Sequence, residues 1–349
     1  MTPIDLSPLL APIDDTAPTG PNLEYDPEFA ELERIATPKS ERSIGDTVKA
    51  AEEPDWDKVA SVAVALFART RDLRVAIHLT TAWTRRDGLP GWRAGLALVR
   101  GLLERYWEPV HPQLDADDDS DPTARSNALM PLGDTQSVLG YFRSAPFVQS
   151  TRLGRFSLRD LRIANGALQV AQPDHGAPLP TLVELEACCS DCPDDQLPET
   201  AALLAAALDD ARAIDALLVE RLSTASPDLT HLIADLYELR KFVDAQVARR
   251  FPELAARQAA DNAAPDSAAP QPDTAHTPRD DGKIRGSNDV LLRIDEICEY
   301  YDRNEPSSPV PVLLKRARRL VGKSFADVLK NVAPGGLAEL QTLAGPQDE

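Results

Sequence analysis

The 349-residue chain has little aromatic content (5%, as 4 Trp, 6 Tyr and 8 Phe) and only 4 Cys and 2 Met. Few aromatics among abundant Ala and Leu disfavour sheets and favour helices. Four cysteines, three of them bunched at Cys188, Cys189 and Cys192, make no disulfide framework at this length. Cys189 and Cys192 have CxxC spacing, but neither His175 nor the distant Cys298 supplies a recognisable second half of a zinc site. They read as incidental cytosolic thiols. No apolar run approaches the roughly 18 residues of a membrane span. The start, MTPIDLSPLLAPIDD, lacks the basic end and continuous apolar stretch of a signal peptide. A cytoplasmic location is expected.

Catalytic signatures are missing too. The chain contains no GxxxxGK[ST] or GxGxxG loop to cradle a nucleotide, no HExxH and no GxSxG elbow. The five histidines, His78, His111, His175, His231 and His276, are scattered. Asp115, Asp117 and Asp119 mimic the first ligands of an EF-hand loop, but Ser120 stands where Gly is needed and Ser126 where Glu is needed. A solvated acidic loop is the better reading. No catalytic residue, metal site or cofactor site is expected, and the chain reads as a non-enzyme. Positive charge is also short, with a net charge of −19. From Ile284 onward nine basic and ten acidic residues leave −1, so −18 lies in the part before it. Such an acidic body excludes nonspecific nucleic-acid binding and attraction to anionic membranes.

What the chain does contain is helical patterning. Asp26 and Pro27 mark a helix start, with Phe29, Leu32 and Ile35 on one face, and residues 37–53 read as a loop. Asp55 opens a helix with Trp56, Val59, Ala63, Leu66 and Phe67 inward, and Asp72 opens one carrying Leu73, Ala76, Ile77, Thr80 and Trp83. After a break at Gly88, Pro90 and Gly91, a third helix runs from Trp92 to Trp107. Short breaks between long helices predict antiparallel neighbours. Residues 145–172 allow a short hairpin or an extended edge. There Arg152, Arg155, Arg159 and Arg162 form a basic island in the acidic body, read either as intradomain ion pairs or as a docking patch. Residues 173–196 read as a Pro-rich joint, and Glu199 to Phe251 as a helical hairpin whose second arm has coiled-coil-like spacing.

From Ala255 to Lys283 there is no Val, Leu, Ile, Phe, Tyr or Trp, a composition that cannot bury enough surface to fold. It reads as a flexible tether. Beyond it, EYYDRNEPSSPVPVLLKRARRLV joins two helical patterns through a turn stiffened by Pro306, Pro309 and Pro311. Tyr300, Tyr301, Glu305, Ser307, Ser308, Val310, Leu313 and Leu314 surround that turn and are candidate oligomerisation residues together with the three prolines. A module this small tends to complete its core by self-association. Lys315, Arg316, Arg319 and Lys323 line one side of the following helix. They read as a solvated face or as contacts to acidic neighbours. The fold class is all-α: an N-terminal helical bundle over 1–172, a middle helical hairpin over 173–254, a linker over 255–285 and a helical oligomerisation domain over 286–349.

The string YYDRNEPSSPVPVLLKRARRLV followed by SFADVL resembles the C-terminal domain of short members of the TssA (ImpA-related) family of type VI secretion. YDPEF, WDKVASVAVALFARTRDLRVAIHLTTAW and GLALVRGLLERYWEPVHP resemble the family's N-terminal domain. The resemblance implies a cytoplasmic, ring-forming scaffold, compatible with sixfold symmetry, at the secretion baseplate. Its partners would be copies of itself and the baseplate, tube and sheath proteins, with Arg152, Arg155, Arg159, Arg316 and Arg319 as candidate docking residues. Length and the EPSSPVP end fit the short, baseplate-associated kind. Two alternatives compete: a monomeric adaptor whose groove, lined by Trp83, Trp92 and Trp107, binds effector or partner peptides, and, last, a hydrolase with an unrecognised carboxylate site.

Overall fold

The computed structural model describes residues 4–39, 42–44, 47–49, 52–115, 120–170, 178–253, 294, 297 and 310–318. The chain divides into two units, Met1–Pro265 and Asp266–Glu349. The described residues are mainly helical, with two short antiparallel strand pairs. The expected tether, 255–285, lies outside them.

In the first unit, α1 (Ser7–Leu10) and α2 (Pro27–Ala36) precede three long helices, α3 (Trp56–Phe67), α4 (Leu73–Asp87) and α5 (Leu89–Tyr106). Each start predicted from an aspartate carries the matching cap. Asp26 accepts from the Glu28 amide, Asp55 from Lys58 and Asp72 from Arg74, so each satisfies an orphan N–H of its first turn. Only Gly88, at φ +66°, separates α4 from α5. The third helix begins earlier than its apolar stripe, at Leu89. Pro90 fits there because the first turn has no use for its missing donor. A Cβ on Gly91 would lie 2.1 Å from the carbonyl oxygen of Trp83, and one on Gly95 would lie 2.3 Å from the Thr80 methyl. As α5 advances, its partners on α4 recede, so the two helices run antiparallel at close range.

After α5 come α6 (Thr123–Leu129), a 3₁₀ turn (Met130–Leu132), α7 (Val138–Ser144), the pair β3 (Pro146–Ser150) and β4 (Gly154–Ser157), α8 (Leu158–Ala164), α9 (Leu182–Asp191), α10 (Gln196–Leu222) and α11 (Thr230–Arg250). The hairpin α10–α11 packs back on α5 through α10. Buried residues from Leu9 to Val247 form one continuous core. Two local expectations change and one open reading resolves. Residues 37–53 hold the antiparallel strands β1 (Arg42–Ile44) and β2 (Thr47–Lys49), which are too short to display a period of two. The hairpin allowed in 145–172 is β3–β4, with a register irregularity between Pro146 and Val148. The joint 173–196 contains α9, closed by a capping box between Thr181 and Glu184.

Buried cations hold the periphery to this core. Arg71, 2% exposed, donates to the carbonyl oxygens of Ala11 (2.6 Å), Pro8 (3.2 Å) and Phe67. One guanidinium thus ties the N-terminal segment to the end of α3, where the last helical carbonyls lack partners. Arg125 does the same at the exit of α5.

In the second unit the described helix is α12 (Val310–Arg318). Val310 and Pro311, expected in the turn, are its first residues. A proline in the first turn removes only a donor that has no intrahelical acceptor, so the helix accommodates it.

Candidate functional site

A half-open trough of about 560 Å³ lies on the first unit among α2, α4, α6 and α7. Its floor is the outer face of α4, with Ile77, His78 and Thr81, facing Ala124 and Ala128 of α6. One wall is aromatic. Trp56 and Tyr141 meet edge to face with ring centroids 5.5 Å apart. The Trp56 indole donates to Glu53 (3.2 Å), Arg85 pairs with the same carboxylate, and the Arg85 guanidinium lies 5.0 Å from the centre of the Tyr141 ring. Both rings are half-buried yet held in place. At the rim, Arg74 is engaged by Asp72 (2.8 Å) and Glu24 (3.2 Å). Glu33 is exposed and has no ion-pair partner among the described residues.

Burial lowers the pKa of His78 below its ordinary value of 6.5, opposed in part by the Asp72 carboxylate. The unfolded chain binds this proton near the ordinary value, whereas the fold resists it. Stability from the neutral imidazole is therefore present above about pH 6.5 and is lost as pH falls through that range. Denaturant midpoints at pH 7.5 and pH 5.5 should drop more for the wild type than for His78→Gln. Equal drops would remove this role.

The basic island splits. Arg162 turns inward to Asp235 (2.5 Å) and Glu238 (2.6 Å), and Arg152 makes an exposed pair with Asp191 (3.2 Å). Arg155 and Arg159 are exposed and make no ion pair among the described residues. The ion-pair reading of the island therefore holds for Arg162 and Arg152.

The clustered thiols are core. Cys188, Cys189 and Cys192 are free and at most 2% exposed. Desolvation pushes Cys188 up to about 11 and Cys189 up to about 12, so both stay protonated and inert at neutral pH. Arg250 donates to the Cys189 carbonyl (2.9 Å), the Cys192 sulfur (3.2 Å) and Asp194 (2.5 Å), pinning the end of α11 to the α9–α10 junction.

The groove is not built from the tryptophans expected to line one. Trp83 and Trp92 are 4% and 0% exposed. They face the core along the close α4–α5 contact. Trp107 is half-buried beneath Arg125 and Arg221. Trp56, expected inward, supplies the wall instead. Of the candidate oligomerisation residues, Tyr300, Tyr301 and Glu305 to Pro309 lie outside the described residues, as does Arg319. On α12, Leu313 is 65% exposed, Leu314 is half-buried and Arg316 is exposed.

Comparison with known proteins follows this division. Residues 10–134 match the family described as ImpA, N-terminal, type VI secretion system. The chain is 39% identical over 353 aligned positions to the type VI secretion system component TssA1 of Pseudomonas aeruginosa, covering 99% of this chain and 100% of that protein. Its fold is similar to the solved N-terminal domain, including the conserved ImpA_N region, of the TssA component of the type VI secretion system from Burkholderia cenocepacia. The TM-score is 0.58 at 24% identity, covering 72% of this chain and 96% of that one. Among the described residues no helix is long and apolar enough to cross a membrane. With a relative matched end to end and the N-terminal family signature in place, the chain belongs to the TssA family of the type VI secretion system.

Proposed function

We propose that the chain is a non-enzymatic, cytoplasmic scaffold that forms a ring at the secretion baseplate and helps recruit or prime tube and sheath assembly. The end-to-end match to a type VI secretion component carries this reading. The C-terminal module, 286–349, is its oligomerising domain. α12 supports that role with an apolar residue, Leu313, 65% exposed one position before Leu314 and the cationic stretch Lys315–Arg316. The N-terminal domain, 1–172, and the hairpin domain, 173–254, form the acidic arm, reaching partners across 255–285. Identical arms on a closed hub gain avidity from effective concentration, so each contact can be weak. Arg155 and Arg159, with Arg152, give the arm a basic spot for acidic partner surfaces. Arg316 and Arg319 do the same for the hub.

Sedimentation velocity on the full-length protein tests this. A discrete, ring-sized oligomer is expected for the wild type. Leu313→Asp should lower the assembly state while leaving the helical signal of the first unit intact. A wild type sedimenting as single chains across a wide concentration range would sink the scaffold reading.

A further inference from the structure

The groove among α2, α4, α6 and α7 combines a braced aromatic wall, an apolar floor and one uncompensated carboxylate. We propose that it docks a short segment of a partner protein that presents a few apolar side chains and a lysine or arginine. Its volume, about 560 Å³, lies within the range of specific binding sites. Trp56 and Tyr141 are already locked by Glu53 and Arg85, so little side-chain freedom is left to lose on binding. Half-exposed aromatic anchors in such a setting are where binding energy concentrates. Exposed apolar groups continue from the lining. Tyr25, beside Glu24, is 95% exposed, and Met130, beside Pro131, is 55% exposed. A side chain as exposed as Tyr25 contributes nothing to the core.

Charge selects the occupant. Arg74 is spent on Asp72 and Glu24, and burial lowers the pKa of half-buried His78 and so disfavours its charged form, which leaves the Glu33 carboxylate as the unpaired charge lining the groove among the described residues. A partner cation complements it, whereas an acidic segment is repelled. A second copy of the first unit, Met1–Pro265, brings −16 of net charge against the same acidic rim and fits poorly. A small metabolite would need convergent buried polar groups to orient it. The buried polar atoms without partners among the described residues, Trp92 Nε1, Arg93 Nε and Asp210 Oδ2, belong to residues that do not line this groove.

The test selects a phage-displayed library of random linear peptides on the full-length protein, followed by anisotropy titration of the enriched peptides. Enriched sequences should pair aliphatic or aromatic residues with Lys or Arg. Thr81→Arg fills the groove from the outer face of α4 with a better helix former. It should weaken binding by about tenfold or more. Glu33→Lys, on the exposed face of α2, should weaken the same peptides and remains informative if Thr81→Arg folds poorly. Enrichment of acidic peptides, peptides that bind both variants as tightly as wild type, or a self-association abolished by Thr81→Arg would each overturn the proposal. Ring formation measured by sedimentation should be unchanged in both variants, so failure of the groove and failure of the scaffold reading give different results.

Discussion

Replacing Arg125 with alanine should destabilise the first unit by about 3–5 kcal/mol, read as a fall in denaturant midpoint at unchanged slope. Arg125 is fully buried and has no carboxylate partner in hydrogen-bond range among the described residues. It donates instead to three carbonyl oxygens at the exit of α5: Trp107 (2.7 Å), Val110 (2.8 Å) and Pro112 (3.0 Å). Its guanidinium also lies 4.9 Å from the centre of the Trp107 ring. Burial lowers its pKa to about 10, still well above neutrality, so the group remains a cation at the negative end of the helix. Truncation removes all three donors together and leaves the carbonyls in a space closed to solvent. Each unsatisfied acceptor costs roughly 1–3 kcal/mol. Arg125→Lys keeps the charge but not the fork, and should recover less than half of the loss. A cost below about 1 kcal/mol for Arg125→Ala would mean that water reaches these carbonyls and that the guanidinium is dispensable.

Much of this fold is legible because helix starts are local. Asp26, Asp55 and Asp72 each act within three residues, and the stripes behind them are long enough for their period to show. The seven-residue helices α7 and α8 span about two turns each, too few for a stripe. α9 sits in a stretch whose prolines and cysteines draw attention away. The sequence still held a usable signal for α8 and α9, since Ser157 with Asp160 and Thr181 with Glu184 are capping boxes and both close in the structure. The groove was less accessible. Its lining comes from stretches between Glu24 and Tyr141 that no periodicity brings together, and Trp56 reads as one more inward residue of its helix. For the same reason the sequence allowed intradomain pairing for Arg162 but could not name its partner. Its partner Asp235 lies 73 residues along the chain, and nothing local marks the pair.

Asp235→Ala should be comparably damaging, about 3–5 kcal/mol, because it strands cations rather than carbonyls. The Asp235 side chain is 2% exposed and sits between two arginines from different helices. Arg143 of α7 approaches at 2.5 and 3.2 Å, and Arg162 of α8 at 2.5 Å. Arg162 keeps Glu238 as a second partner, whereas Arg143 has no other ion pair among the described residues. Removing the carboxylate leaves two half-buried like charges facing a gap. Replacing the whole set is a different experiment. Asp235→Leu combined with Arg143→Met and Arg162→Met deletes the charges and their desolvation together, and should recover most of the loss. Raising the salt concentration should change the Asp235→Ala effect little, since buried pairs are weakly screened. An effect that vanishes in high salt would instead mark an exposed, dispensable pair. The same position links stability to docking. α7 carries Arg143 to α11 and Tyr141 to the groove wall, and α8 carries Arg162 to α11 and Arg159 to the surface. Asp235→Ala should therefore loosen the aromatic wall and weaken peptide binding in the groove even at temperatures where the unit stays folded.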